Sequence, residues 1–344
     1  MQESKITTVE KSLDEQIRKK IDLKTKPLGS LGTLEKIAFK VSRIQNTLSP
    51  QLNKPSILVC AGDHGITQEK VSPFPQEVTF QMVMNFLGGG AAINVFCRQH
   101  SINLLVADTG VNFDFEPSEQ LLDLKVRKGT RNFAVEPAMT VQECETAMKN
   151  GASVIEKLHK NGTNIVGFGE MGIGNTTAAT ALLCKYAGYS ASEASGAGTG
   201  LDAEGIQHKA AVIEKALALH TDTTDAVQIL ATFGGYEIAT ICGAILKAAE
   251  LKMIILSDGF IATSALIAAH AINPHVTEYC LFAHESNEQG HKLMLQHLKA
   301  EPILHLGMRL GEGTGSAVAF PIIQSAVNFI NEMSSFDDAG VSNL

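Results

Sequence analysis

The chain of 344 residues has no tryptophan and only four tyrosines, so aromatic platforms for stacking bases are sparse. It has no basic block either. Its 28 Lys and Arg face 36 Asp and Glu, a net charge of −8 that disfavours a nucleic-acid partner. The six cysteines, at 60, 97, 144, 184, 242 and 280, form no C-x-x-C pair. They read as reduced core residues of a cytoplasmic protein. The 11 histidines show neither H-x-x-x-H nor H-E-x-x-H spacing, so no metal site is expected. Most of the histidines, a set that includes His270, His275, His284 and His291, read as surface or helix-end residues, and Asp63-His64 invites a metal or acid–base reading. No G-x-S-x-G elbow supports a hydrolase triad, and no Walker lysine is present. The most apolar window, 253–272, contains Asp258 and is too short and too polar to span a bilayer, so no membrane partner is expected. The polar start, Met1-Gln2-Glu3-Ser4-Lys5, does not read as a signal peptide.

What the chain does have is glycine in clusters. An apolar run at 164–166 leads into Gly167-Phe168-Gly169-Glu170-Met171-Gly172-Ile173-Gly174-Asn175-Thr176-Thr177, and an alanine-rich helical stretch follows. Glycines let a backbone come close to a ligand, and the N–H groups at a helix start attract anions. Asn175, Thr176 or Thr177 could cap that helix. The pattern reads as a strand–loop–helix phosphate cradle with Glu170 inside it. G-x-G-x-x-G is present as Gly167, Gly169 and Gly172, but a dinucleotide site needs a second strand ending in an acid about twenty positions on. Glu193 lies in a Ser- and Ala-rich stretch that is no strand. A mononucleotide phosphate fits better, and the alternative is a glycine-rich turn with no ligand.

Apolar strands are expected at 56–60, 104–107, 164–166 and 253–256, each ending in a polar turn with glycine. Helical patterns at 79–100 and 176–187 fill intervals between them. This rhythm implies an α/β fold, a mostly parallel sheet covered by helices on both faces, with ligands at the carboxyl ends of the strands. Residues 9–22 are expected to be helical, and a second helix should carry Leu34, Ile37, Ala38, Val41 and Ile44 on one face. The length suits one large domain plus a smaller appendage. Two further glycine clusters, 196–202 and 310–316, also open helices, and 334–344 reads as a loose tail. Glu312, between two glycines, becomes a usable base if it is desolvated; the alternative is an ordinary first-turn glutamate. Lys209 is either a phosphate counter-charge or a solvated helix lysine.

Several ordered segments together resemble the nicotinate-nucleotide–dimethylbenzimidazole phosphoribosyltransferase family of cobalamin nucleotide-loop assembly. They are Lys26-Pro27-Leu28-Gly29-Ser30-Leu31-Gly32, Asp63-His64-Gly65, Val71-Ser72-Pro73, residues 170–177, Asp258-Gly259-Phe260 and residues 308–315. The resemblance implies a Rossmann-like sheet domain over 51–314 and a small helical domain from both chain ends, 1–50 and 315–344. It implies a homodimer that acts on small molecules without a cofactor. It implies Glu312 as catalytic base and Glu170 as a second glutamate near the reacting centre. Gly172, Gly174, Asn175 and Thr176 match the phosphate loop, and Lys209 and Ser286 match further phosphate-side contacts. Ser72 falls in the segment lining the acceptor-base pocket. There the chain departs from some members, with extra residues after Ser72-Pro73, and a polar position facing the base corresponds to Met82. Phe80 and Met82 are expected to make that pocket apolar and permissive.

The reaction implied is transfer of the phosphoribosyl group of nicotinate mononucleotide to 5,6-dimethylbenzimidazole or a related base, with inversion at the ribose carbon. The departing pyridinium leaves as a neutral ring, so no metal is expected to be needed. Two other classes stay open, a dinucleotide-dependent oxidoreductase and a non-catalytic nucleotide sensor. The missing second acidic strand argues against the first, and the presence of Glu312 against the second.

Overall fold

The computed structural model describes residues 5–342 except 199. The first four residues of the polar start, Thr199 in the 196–202 cluster and the last two residues of the tail lie outside the described residues. One sheet is formed by β1 (Ser56–Gly62), β2 (Asn103–Gly110), β3 (Leu121–Asp123), β4 (Ile165–Met171), β5 (Ile254–Ser257), β6 (Cys280–His284) and β7 (Pro302–Leu304). Its order is β3-β2-β1-β4-β5-β6-β7, and every pairing is parallel. The chain winds outward from β1 to β3, then returns to lay β4 on the other side of β1. Where a doubly wound sheet reverses in this way, a crevice opens at the carboxyl ends of the two central strands. β1 is buried along its whole length, as a strand covered on both faces must be.

Before the fourth strand come α1 (Asp14–Asp22), α2 (Thr33–Ile44), α3 (Val78–Leu87), α4 (Ala92–Gln99) and α5 (Val141–Lys160). After it come α6 (Asn175–Ala187), α7 (Ala191–Ala194), α8 (Ala203–Leu219), α9 (Ala226–Phe233) and α10 (Tyr236–Glu250). The last are α11 (Phe260–Ile272), α12 (Gln289–His297), α13 (Thr314–Glu332) and α14 (Phe336–Ala339). Helix α10 packs along β1, β2, β4 and β5, while α13 packs along β4, β6 and β7 and against α2 and α4. The face of α2 is as its spacing predicts, with Ile37, Ala38, Val41 and Ile44 buried.

Three expectations are corrected. The single helix at 79–100 is two, α3 and α4, because Gly88-Gly89-Gly90 interrupts a stretch otherwise long and apolar enough to cross a membrane. The fourth strand does not stop at 166 but runs through Gly167, Gly169 and Glu170 to Met171, paired with β1. Those two glycines permit close packing rather than a loop. A Cβ on Gly167 would stand 3.0 Å from Ser316 Cβ, and one on Gly169 would stand 2.3 Å from the Glu312 carbonyl carbon. The tail is not loose through 341. Lys24 and Ser335 form an antiparallel bridge, Phe336 N–H donates to Leu23 O, and Ser335 caps α14. Eight of the 11 histidines are exposed or half-buried, in line with the expectation for most of them, and His64, His284 and His291 are buried. All six cysteines are buried and free.

Candidate active site

Strand β4 delivers Glu170 to the sheet rim, and the chain turns at Gly172-Ile173-Gly174 straight into α6. Gly174 is the N-cap residue, at φ 95°, a left-handed backbone that side chains resist; a Cβ there would also stand 2.9 Å from Thr67 Cγ2. The Ile173 N–H donates to Thr79 Oγ1 on α3 at 3.1 Å, which pins the turn. No side chain caps α6, so its start is available to an anion. The three polar residues expected to offer a cap do other things. Asn175 Nδ2 donates to Glu170 Oε2, Thr176 Oγ1 accepts from Lys209 Nζ at 2.9 Å, and Thr177 is buried. Lys209 reaches in from α8 and is itself buried. Burial pulls its pKa down to about 8, opposed by Glu288, and it stays cationic at neutral pH. The loop before α8 closes the far side. Gly198 N–H donates to Glu288 at 3.3 Å, and Gly198 O accepts from Arg309 at 2.9 Å.

Beside this cradle stand carboxylates. Gly311, Glu312 and Gly313 have φ of 84°, 61° and 84°, three left-handed residues in succession. For Glu312 that backbone costs about 1 kcal/mol or more. Close packing enforces it. A Cβ on Gly311 would meet Glu170 Oε1 at 2.2 Å, and one on Gly313 would meet Ile57 Cγ2 at 2.9 Å. Glu312 is buried, and its Oε2 accepts from the Ile93 N–H in the first turn of α4 at 3.2 Å. Burial raises its pKa, the Ile93 N–H opposes this, and Asp258 adds to the rise. For Glu170 burial is again the largest cause, followed by the charges of Glu237 and Asp258; Asn175 opposes, and the carboxyl is raised to about 8. At neutral pH Glu170 therefore holds its proton. A cavity of about 100 Å³ joins the two halves, lined by Glu170, Asn175, Asp258, His284, Ser286 and Arg309 among others.

A sequence model of a phosphoribosyltransferase family matches residues 6–341. The chain belongs to that family. It is 50% identical, over 100% of its own length and 99% of the relative's, to the nicotinate-nucleotide–dimethylbenzimidazole phosphoribosyltransferase of Dechloromonas aromatica. It is 51% identical to the enzyme so named from a Janthinobacterium species, covering 98% of each. The solved structure of CobT from Thermus thermophilus superposes with a TM-score of 0.94 at 38% identity, covering 96% of this chain and 99% of that one.

In this phosphoribosyltransferase several site groups lie beyond those expected from sequence. Asp258 follows β5, and its carboxylate accepts the Ser316 N–H at 2.8 Å as well as the Gly259 and Gly315 N–H groups. It thereby ties the starts of α11 and α13 together. Its Ser-Asp-Gly setting at a strand end was the available signal. His284 ends β6, a strand not expected from sequence, and so its burial had no signal. Ser286 is buried on the cavity wall, and its N–H donates to His291 Nδ1 at 2.9 Å. Among the described residues no three His, Cys, Asp or Glu side chains are grouped to hold a metal. A larger cavity of about 720 Å³ lies beside α1 and α2, lined by Arg18, Phe39 and Arg43. It is remote from the strand ends, so size alone misdirects, and the converging buried groups mark the smaller one.

Of the residues expected to line an acceptor pocket, Ser72 is half-buried and accepts the Phe74 N–H at 3.3 Å. Phe80 stacks on Phe113 with ring centroids 4.5 Å apart and planes 9° from parallel. Met82, two residues on, is about 200° around α3. The two side chains therefore leave different flanks of the helix and do not line one wall. Thr79, which pins the cradle, is about 60° from Met82 and about 100° from Phe80 in the other direction.

Proposed function

We propose that this enzyme transfers the phosphoribosyl group of nicotinate mononucleotide to 5,6-dimethylbenzimidazole or a related base, giving α-ribazole 5′-phosphate and nicotinate. The observation that carries the reading is the meeting of a cationic phosphate cradle with the buried carboxyl of Glu170 at one cavity, bridged by the Asn175–Glu170 hydrogen bond, with the buried Glu312 next to Gly311 on the cavity wall. Gly172, Gly174, Asn175, Thr176, Lys209 and Ser286 hold the 5′-phosphate, an end of the donor that does not react, and so position the ribose. One ring nitrogen of the base attacks the ribose carbon from the face opposite nicotinate. The bond to the pyridinium breaks with its electron pair going to the pyridine nitrogen. The other nitrogen of the base becomes acidic, and Glu312 takes its proton. Glu170 begins protonated. The arriving pyridinium cation favours its carboxylate form, so donor binding releases that proton to solvent, and the resulting charge stabilises the positive ribose carbon.

Met82 and Ser72 bound the acceptor pocket on this reading, and Phe80 supports it from behind through Phe113. For the two-domain division, 51–314 against 1–50 with 315–344, the Lys24–Ser335 bridge and the packing of α2 on α13 support the joining of the two chain ends, while α13 itself also covers β4, β6 and β7. A homodimer accords with the apolar side chains Phe74, Met84 and Phe113, which are 48%, 52% and 38% exposed. Six free buried cysteines accord with a cytoplasmic location. The test is incubation with nicotinate mononucleotide and a panel of benzimidazoles, purines and phenols. Base-dependent release of nicotinate supports the reading, and its absence with every base overturns it.

A further inference from the structure

One buried ionisable pair takes no direct part in the reaction above, though the charge of Glu237 helps to raise the pKa of Glu170. His64 follows β1, and its Nε2 stands 2.6 Å from Glu237 Oε1; the two side chains are 1% and 0% exposed. Glu237 is the second residue of α10, so the pair joins the end of the central strand to the start of a helix. The imidazole forms part of the floor of the 172–174 turn, beside the Gly62 carbonyl and Thr67. A Cβ on Gly172 would meet Gly62 O at 2.3 Å and then Cδ2 and Nε2 of His64, both at 3.4 Å; one on Gly174 would meet Thr67 Cγ2 at 2.9 Å and then His64 Cβ at 3.4 Å. The ring is confined on another side too, where a Cβ on Gly235 would meet His64 Cε1 at 2.3 Å. His64 O is also tied down, accepting from Thr67 Oγ1 at 2.8 Å.

This arrangement is costly for a purely structural contact. His64 Nδ1 and Glu237 Oε2 are buried without a hydrogen-bond partner among the described residues. Buried groups left unpaired destabilise a fold, and an apolar pair of the same shape would fill the space without that cost. A flat ring held edge-on by a carboxylate has one property an aliphatic side chain lacks: its orientation is fixed by a directional bond. Gly172 lies against both the ring and the Gly62 carbonyl, so the orientation of the ring bounds the turn on that side.

We propose that the His64–Glu237 pair is a positioning element for the donor: Glu237 fixes the imidazole, and the imidazole bounds, and so positions, the 172–174 turn that holds the 5′-phosphate. The proposal rests on the phosphate role given to that turn above. His64 and Glu237 touch neither substrate nor the reacting atoms, and they act through the turn.

Two substitutions test it, His64→Ala, which removes that part of the floor, and Glu237→Gln, which keeps the shape and weakens the bond. Each is read by calorimetric affinity for ribose 5-phosphate and by separate KM and kcat values for donor and base. In His64→Ala the ribose 5-phosphate affinity should fall, and the donor KM rise, by about tenfold or more. In Glu237→Gln the ribose 5-phosphate affinity should fall by about threefold to tenfold; donor KM and kcat also sense the loss of Glu237's charge beside Glu170, so this ligand, which has no pyridinium, is the readout for that variant. The double variant should be no worse than His64→Ala, since Glu237 acts through the imidazole. Unchanged ribose 5-phosphate affinity in both folded variants overturns the proposal, as do additive effects in the double variant. If His64→Ala does not fold, Glu237→Gln decides. A fall in its ribose 5-phosphate affinity supports the proposal, and an unchanged affinity overturns it. Should the unsubstituted enzyme bind ribose 5-phosphate yet release no nicotinate, the assigned reaction fails, while the phosphate affinities still judge the pair.

Discussion

Gly172-Ile173-Gly174 leads into α6 and Gly311-Glu312-Gly313 leads into α13, both at the carboxyl edge of the sheet. Locally the two are alike, since each places a left-handed glycine at the helix N-cap. Their surroundings differ in sign. The first receives Lys209 from α8, while the second faces Glu170 and lies near Asp258. Their strain differs as well. In the first turn only Gly174 is left-handed; in the second all three residues are, including one with a side chain. On the proposed reading the same device, a glycine turn opening a helix, serves as an anion cradle in one place and as a mount for the proton acceptor in the other. Distant elements decide which, because the charged neighbours come from α8 in one case and from β4 and β5 in the other.

The sharpest break in this comparison is Glu312→Gln. It preserves shape and removes the proton acceptor, so turnover should fall by about 10²–10⁴. Donor affinity should stay near that of the unsubstituted enzyme, because the cradle is untouched. Near-normal turnover in steady-state assays would show that the second loop carries no base. Gly174→Val is the matching change in the first loop. The branched side chain collides with Thr67 and strains the left-handed backbone. Donor affinity should fall by about 10²-fold, the cost of displacing a positioning group by an ångström, while circular dichroism reports a retained fold. Unaltered affinity for nicotinate mononucleotide would detach the phosphate from that turn.

Glu170 joins the two loops, and its titration sharpens the contrast. Its carboxyl is raised from an ordinary 4.5 to about 8, chiefly by burial and then by Glu237. The folded state therefore binds this proton more tightly than the unfolded chain does. The stabilisation is complete below pH 4.5 and is lost as pH rises to about 8. Glu170→Gln should escape the loss, so its melting temperature relative to the unsubstituted enzyme should be most favourable above pH 8. Donor affinity should rise with pH by up to about tenfold per unit below pH 8, as binding expels the proton. Calorimetry in two buffers of different ionisation enthalpy measures that proton release. Its absence at pH 7 would mean that Glu170 stays neutral beside the donor.

Sequence periodicity revealed the central strands and the α2 face because apolar spacing reports burial directly. It misjudged Gly167 and Gly169, since a glycine in a strand and a glycine in a loop look alike until the partner is known. Here the partners are Ser316 and Glu312, far along the chain. It also missed β6, and with it the buried position of His284. The carboxylates were visible as residues, but their protonation was not. Glu170 is held neutral by burial and by Glu237 and Asp258, groups that the fold brings together from α10 and the end of β5.

The smallest expected effects lie on the acceptor side, where neither loop supplies a directional partner. Met82 adapts its shape and offers no strong hydrogen bond. A pocket of that kind separates ligands differing by methyl groups by only about 1–3 kcal/mol, so dimethylbenzimidazole and benzimidazole should differ by no more than about two hundredfold in kcat/KM. Adenine should be a poorer acceptor, because its amine loses water without finding a partner. Met82 and Phe80 leave α3 on different flanks, and Phe80 is engaged by Phe113. Met82→Ala should therefore change the ratio of kcat/KM values between the two benzimidazoles, by about fivefold for the space it opens. Phe80→Leu should lower stability through the lost ring stack, by about 0.5–1.5 kcal/mol, and leave the ratio as it was. Competition assays with paired bases measure both. A ratio that moves with Phe80 and not with Met82 would put the acceptor on the flank facing Phe113, and a preference for adenine would require polar groups in a pocket here read as apolar.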